Sequence, residues 1–546
     1  MRPGKDGKTN AKLKLIAGLL GTGFDELKQR EQRRQQKRLL LITAASVAGM
    51  LMTGALAVTA WIARQDAMRN RDQAEDLIGF MLGDFREQLE PLGKLELLKN
   101  VGDKAMAYFS SLPERDTTDE SLLRRAEALR QIGDVRLSLG EFGPALAAFR
   151  ESLTLSQALS RRSPDNQDWL FALGNAWFWV GYTHWQKGDL DAAVAPMSEY
   201  LNAAERLVQL DARNRKWQLE RGYALGNLGG LAFARGDSEE AIRQYEAARN
   251  VIEELLEGAP EDFDLLSAQI EFYSWLASIR ESRGELHSAR DLHARTLQLT
   301  TELLASKPDD RRMQREEVLR QVFYGRVLLL MGDLEEAKRV SSVALSGARA
   351  LAIVDPKNAR WQWQLASVME QESRVLRASR HCTEAVSMAE AGLAVTAEVS
   401  EMAVDMDVGH LTRLRLLNDK AACLLDAGLW QESQMTLDPV LGQTWALKDR
   451  SANAVAYESE LAMSRHLAGR ILASRGNADQ ARQLWTAGLG MLDPSQTDPR
   501  HRAIRAMLLQ ALGRTQEAKR LTAELSKQGF AEPNFTRQMH ALVPQN

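Results

Sequence analysis

Gly140, Gly188, Gly236, Gly284 and Gly332 stand 48 residues apart, and after one interruption at Arg380 the same register returns at Gly428 and Gly476. A single compact core makes no demand for equal intervals; a stack of like units does, because each unit repeats the same contacts with its neighbour. Five residues after each register position come Ala145, Ala193, Ala241, Ala289, Ala337, Ala385, Ser433 and Ala481, always small. Two helices must approach closely there. Glu141, Asp189, Asp237, Glu285 and Asp333 follow the first five glycines, which suits a helix ending at a left-handed glycine and a second helix opening with negative charge. The glycine is therefore predicted to be the turn inside each unit.

A second register marks the turns between units. Pro164, Pro260, Pro308 and Pro356 are in phase, with Ala212 at the remaining position. Proline tolerates a helix start and not its interior, and Asp165, Asn166, Asp309 and Asn358 are expected to cap the helix that follows. Five residues beyond lie Trp169, Trp217, Leu265, Met313 and Trp361, large groups placed to wedge each first helix against its neighbour. Ala, Leu, Glu, Arg and Gln dominate the chain beyond residue 65, so the expected class is all-α.

Within the first helices a further small residue stands seven before the turn, at Gly133, Gly181, Gly229, Gly325 and Gly469, and Phe149, Met197, Tyr245 and Trp485 supply a bulky position in the second helices. On these residues, roughly 120 to 525, the chain resembles the tetratricopeptide repeat family. The resemblance implies a right-handed α-solenoid of helical hairpins that binds protein or peptide partners. The family's period is about 34 residues, and 14 more shared by two helices adds seven to each, close to two turns. Longer helices with the same packing are expected. A HEAT-like array is the alternative, and it leaves the paired Gly and Ala unexplained. In such solenoids the first helices line a concave surface, which nominates Tyr182 and Trp185 with Phe178 one turn earlier, and Tyr223 and Phe233 in the next unit, as partner-binding residues. The competing reading puts these aromatics in the core of the longer helices, where Trp177 and Trp179 are expected to lie.

Ahead of the array, Leu39 to Ile62 contains no charged residue; as a helix it spans about 36 Å against roughly 30 Å of hydrocarbon. Residues 1–38 hold eleven Lys and Arg against four Asp and Glu. Basic residues cluster before the span and thin out after it, which predicts a single-pass anchor in the inner membrane, the N-terminus in the cytoplasm and the solenoid in the periplasm. The basic run is explained by topology, and nucleic-acid binding is not expected. Ala45, Gly49, Thr53 and Ala57 form a small-residue ridge through which two copies of the span would associate. The resulting plan is 1–38 basic segment, 39–62 transmembrane helix, 63–115 membrane-proximal helices, 116–530 solenoid and 531–546 a poorly ordered tail. Ile78 to Phe85 is expected to pack on the first repeat.

The stretch KLKLIAGLLGTGFDELKQREQRR, beginning at Lys12 and followed by a span and a repeat array, resembles the linker of bacterial Toll/interleukin-1 receptor-domain proteins with exterior repeats. No such effector domain precedes it, so the chain is expected to be a truncated product or a receptor half without that domain. The glycines of GLLGTG lack the Lys-Ser or Lys-Thr of a phosphate loop and are read as a helix break.

No catalytic or metal motif is present: there is neither HExxH nor GxSxG, and the eight histidines are scattered. His287 and His293 fall on opposed sides of one helix and are expected at the surface. Cys382 and Cys423 are placed at different heights in adjacent units, which argues against a bridge. Neither an enzyme nor a cofactor is expected. The reading is a membrane-anchored sensor or adaptor, with a structural scaffold for an envelope complex as the alternative.

Overall fold

The computed structural model describes residues 7–82, 96–111, 118–356, 358–400, 406–442 and 454–540. Among them are 22 helices and no strand. The chain divides into two units, Met1–Phe80 and Met81–Asn546.

In the first unit α1 (Lys8–Leu20) stops at Gly21, whose φ of 64° supplies a left-handed cap. Helix α2 runs without interruption from Phe24 to Leu82. The basic segment, the apolar span and the polar stretch beyond it thus form one rod, since no proline or stop signal separates them. The most apolar window of this helix has mean hydropathy 2.0 and is unburied, so α2 is long and apolar enough to cross a membrane. The packing expected of Ile78–Phe85 falls partly outside the described residues.

The second unit begins with α3 (Glu96–Ser111) and continues as helical hairpins. The first five are α4 (Asp119–Ser138) with α5 (Phe142–Arg162), α6 (Gln167–Gln186) with α7 (Leu190–Leu210), α8 (Arg215–Ala234) with α9 (Ser238–Gly258), α10 (Phe263–Ser282) with α11 (Leu286–Ser306), and α12 (Arg311–Leu330) with α13 (Leu334–Val354). Each first helix has 20 residues and each second helix 21, about 30 Å apiece. This is the predicted lengthening. Then come α14 (Ala359–Ala378) with α15 (Cys382–Ser400), α16 (Met406–Asp426) with α17 (Trp430–Gly442), and α18 (Ala454–Ser474) with α19 (Ala478–Gly490). The ninth hairpin, α20 (Pro499–Ala511) with α21 (Thr515–Lys527), has 13 residues in each helix, and α22 (Pro533–His540) closes the described chain.

The register positions behave as local sterics require. All seven register glycines have φ between 75° and 86°, and Arg380 is forced to 66° in the same turn. A Cβ in that region costs roughly 1–2 kcal/mol, and Arg380 is exposed. Arg380→Gly is therefore expected to raise stability by about 1 kcal/mol, allowing for the entropy glycine adds to the unfolded chain. The urea midpoint checks it; an unchanged or lower midpoint contradicts the strain.

Ala145, Ala193, Ala241, Ala289, Ala337, Ala385, Ser433 and Ala481 are all at 0% exposure, so their small size is used. Gly133, Gly181, Gly229 and Gly469 face the bulky residue 16 positions on, whereas Gly325 faces Gln371 and Val340: a Cβ at Gly133 would meet the Phe149 ring at 2.6 Å, and one at Gly229 the Tyr245 ring at 2.8 Å. At Gly469 it would overlap Trp485, whose indole Nε1 donates to the His466 carbonyl at 3.1 Å. In the preceding unit the same positions are Ala421 and Leu437, both buried. Gly469→Ala is expected to cost about 1–3 kcal/mol through overpacking. Adding Trp485→Leu, which recreates the Ala421 and Leu437 pairing, is expected to recover much of that. Thermal unfolding of the single and double variants tests this, and equal loss in both would refute the steric account.

Between units, the capping residues are Asn166, Asn214, Asp262, Asp310 and Asn358, whose side chains accept from backbone N–H groups two or three residues on. Asn166 and Asn358 match expectation. Asp165 instead pairs with Arg206 at 2.8 Å, and Asp310 replaces Asp309, because the proline occupies the second position of a four-residue link and leaves the fourth to cap. Trp217, Leu265 and Met313 are buried, as wedges should be; Trp169 and Trp361 are half-buried.

Two expectations change, while Cys382 and Cys423 are free thiols as expected, with burial and then the neighbouring Cys382 pushing the buried Cys423 thiol up. His293 is at 0% exposure rather than on the surface, because Glu281 and Phe323 enclose it. Of the segment expected to be a loose tail, Pro533–His540 forms α22, and Phe535 in it, like Phe530 just before it, is buried.

Candidate functional site

Phe178, Tyr182 and Trp185 on α6, and Tyr223 and Phe233 on α8, are all half-buried. They are neither free-standing nor core. Phe178 stacks on Tyr182 with ring centroids 5.5 Å apart, and Tyr182 meets Trp185 edge-on at 6.3 Å; all three rest on Ala193, Met197 and Leu231. Tyr223 stands edge-on to Phe272 at 6.4 Å. Gly230 on α8 makes room for Trp185, whose ring a Cβ there would meet at 2.6 Å. Burial raises the Tyr182 phenol, and burial with the nearby Glu271 charge raises that of Tyr223 to about 12. Both stay neutral donors. Trp177 and Trp179, expected in the core, are half-buried as well, with Trp179 stacked on Phe149.

Moving by whole repeats shows what the same positions carry elsewhere. The Tyr182 position becomes Arg326 and Arg374; the Trp185 position becomes Glu281, Leu329 and Arg377; the Phe178 position becomes Glu370, Asn418 and His466. An aromatic face in the second and third hairpins thus gives way to a charged one. Its charges are paired, mostly between the first helices of successive hairpins and once within α14. Arg326 holds Glu281 with two hydrogen bonds, 2.8 and 2.9 Å, while His293 reaches the same carboxylate at 3.3 Å. Burial alone would raise the Glu281 carboxyl, but Arg326 and His293 bring it down to about 2. Arg374 is paired with Glu370, and Arg377 with Asp419 at 2.8 Å. Glu460, at 0% exposure, takes Arg500 at 2.5 Å, Arg415 at 3.4 Å and Asn418 at 3.0 Å.

Onto this face the C-terminal residues are seated. Ser282, Leu330 and Ala378 occupy one register position in three successive first helices, and their carbonyls accept from Thr497 Oγ1 at 3.0 Å, Ala531 N at 2.8 Å and Arg537 Nη1 at 2.9 Å. Helix C-termini carry negative partial charge, which suits an arginine. Phe530 and Phe535 enter a cluster with Leu286, Val327 and Leu330. Gln538 donates to His466 Nε2 at 2.5 Å, and burial holds that imidazole neutral, with its pKa lowered to about 3. Beneath α22 remains a cavity of about 60 Å³ lined by Arg374, Arg377, Asp419, Arg500, Phe535 and Gln538 among others. Among the described residues no three His, Cys, Asp or Glu side chains converge as metal ligands.

The aromatics nominated from the sequence share register positions with charged residues of later repeats, which sequence reasoning did not single out. The available signal was charge of both signs at register positions that are aromatic in the second hairpin.

The family model described as tetratricopeptide repeat matches residues 222–247, 462–485 and 499–524. No curated protein matches in sequence. Among solved structures, the chain is similar to the apo form of RapI at 9% identity, covering 76% of this chain and 97% of that one with a TM-score of 0.49. It is similar to aspartyl phosphate phosphatase F from Bacillus subtilis at 10% identity, 77% and 95% coverage and TM-score 0.45. With NprR in complex with its cognate peptide NprX the values are 13%, 72%, 98% and 0.40. Three matched stretches fall on the third, eighth and ninth hairpins, and the 48-residue register relates the other long hairpins to them: the array is an α-solenoid of helical hairpins similar to tetratricopeptide-repeat solenoids.

Proposed function

We propose that this chain is a membrane-anchored protein-interaction module, in which residues 39–62 of α2 cross the inner membrane with the basic segment 1–38 in the cytoplasm, and the solenoid binds a protein or peptide on the periplasmic side. The observation that carries the binding reading is positional. The register positions of Tyr182 and Trp185 hold Arg326, Leu329, Arg374 and Arg377 in later repeats, and those residues line the cavity beneath the chain's own C-terminal segment. In the second and third hairpins the equivalent face carries Phe178, Tyr182, Trp185, Tyr223 and Phe233, half-buried and stacked. Rigid aromatics with exposed edges suit interface anchors. Ala45, Gly49, Thr53 and Ala57 on α2 are exposed and would bring two anchors together.

Crosslinking and capture from membranes tests this with the full chain and with Tyr182→Ala/Trp185→Ala. Truncating two anchors is expected to remove about 2 kcal/mol or more of binding, roughly thirtyfold in affinity, so that one partner is lost selectively. An unchanged set of captured proteins, from a variant that is folded and inserted, would sink the groove.

A further inference from the structure

Trp179, Trp275 and Phe323 share one register position in the second, fourth and fifth hairpins. In two of these the chain lays its own guanidinium over the ring: Arg130 stands 5.9 Å from the Trp179 centroid, and Arg326 and Arg320 stand 5.0 and 5.9 Å from that of Phe323. Trp275 differs. The residues that take the places of Arg130, Arg320 and Arg326 around it are Gly226, Phe272 and Ser278, and among the described residues no cation lies over its ring. A longer side chain is excluded at Gly226, since even a Cβ there would meet the Phe272 ring at 2.7 Å. The indole stacks on the buried Tyr245, centroids 5.9 Å apart, and is still 38% exposed. Glu271 stands one turn before Trp275 and so beside it on α10. It is exposed and has no ion-pair partner among the described residues. The enclosing helices desolvate its carboxyl and raise it, against Arg320, Arg312 and a hydrogen bond from the Trp275 indole. Arg320 is itself held by Glu316 at 2.9 Å and by Ser274. An open indole with a carboxylate at its side attracts a cation, and a guanidinium above others, because it stacks as a plane and pairs through its edge.

We propose that Trp275 and Glu271 receive an arginine side chain of the partner, its guanidinium lying over the indole and hydrogen-bonded to the carboxylate. The partner segment thus presents an arginine rather than a lysine, as all three cations that the chain itself sets over rings of this register are arginines. The site adjoins Tyr223, which stands edge-on to Phe272. It rests on the reading of the first-helix face as the partner surface, and adds to it the chemistry of what is bound.

Fluorine NMR of the full chain in detergent, with fluorotryptophan in place of tryptophan, reads this site directly. The Trp275 resonance is assigned with Trp275→Phe, or with Trp275→Tyr where phenylalanine unsettles the stack. The probes are N-acetyl-arginine methylamide and its neutral isostere N-acetyl-citrulline methylamide. The arginine compound is expected to move the Trp275 resonance saturably and that of no other tryptophan, the citrulline compound to leave it in place, and Glu271→Gln to weaken the arginine response by about threefold or more. A Trp275 resonance that stays put, that moves as far with citrulline, or that responds equally in Glu271→Gln overturns the proposal. Tyr182→Ala/Trp185→Ala separates it from the reading on which it rests. A captured partner lost in that variant, with Trp275 silent toward arginine, leaves the aromatic face standing and removes the arginine site. An arginine response at Trp275 with capture unchanged in that variant keeps the site and moves the partner surface to the fourth hairpin.

Discussion

Glu460→Ala is expected to lower the free energy of unfolding by about 3–5 kcal/mol, the cost of leaving buried cations without their counter-charge. Glu460 is fully buried on α18, with Arg415 and Asn418 on α16 and Arg500 on α20, so three hairpins lose a common acceptor together. Burial works to raise this carboxyl, and Arg500, Arg415 and Arg374 nevertheless hold it below its usual range. Replacing Glu460, Arg415 and Arg500 together by leucine or methionine is expected to cost far less, because desolvation of the charges disappears with their attraction. Urea unfolding of the two variants separates the cases. A single variant within 1 kcal/mol of wild type would mean that water already reaches the site.

Acid should strip a second interaction. The Glu281 carboxyl has an ordinary value of 4.5 and falls to about 2 in the folded chain. A depressed carboxyl contributes stability that is fully present above the unfolded value and is lost as pH falls toward the folded one, here about 3 kcal/mol. The window is therefore pH 4.5 down to about 2. Arg326 on α12 and His293 on α11 face the carboxylate. Asp498, raised by its own burial and by the Glu281 charge, works in the opposite sense, so the comparison must be against Glu281→Gln. The stability gap between wild type and that variant, measured in urea at pH 6 and pH 3, is expected to shrink by more than half. A gap that is constant across this range would show that Arg326 does not hold the charge.

The parts of this fold that could be read ahead were those set by contacts within one hairpin or between adjacent ones. Gly140 and Ala145 report a turn and a close helix approach five residues apart, and each recurs because the local geometry recurs. Capping was read within one residue, the error arising from where the proline sits in the link. What escaped was of two kinds. The ion pairs join residues about one repeat apart, such as Glu281 with Arg326, and a carboxylate on a helix looks like a solvated one until its partner helix is placed. The seating of the C-terminal residues joins positions 159 to 215 residues apart, Arg537 with Ala378 and Thr497 with Ser282, and no periodicity encodes a contact made once. The nominated aromatics are half-buried, between the two alternatives weighed for them; at Trp185 the reason is Gly230, which lets α8 take one side of the ring.

In a simple stack each unit touches only the next, and melting can begin at either end and spread stepwise. The hydrogen bonds from Thr497, Ala531 and Arg537 to Ser282, Leu330 and Ala378 break that rule, since they tie the ninth hairpin and α22 to the ends of α10, α12 and α14. The fourth to ninth hairpins should consequently unfold as one cooperative block, while the first three, outside the loop, fray independently at lower denaturant.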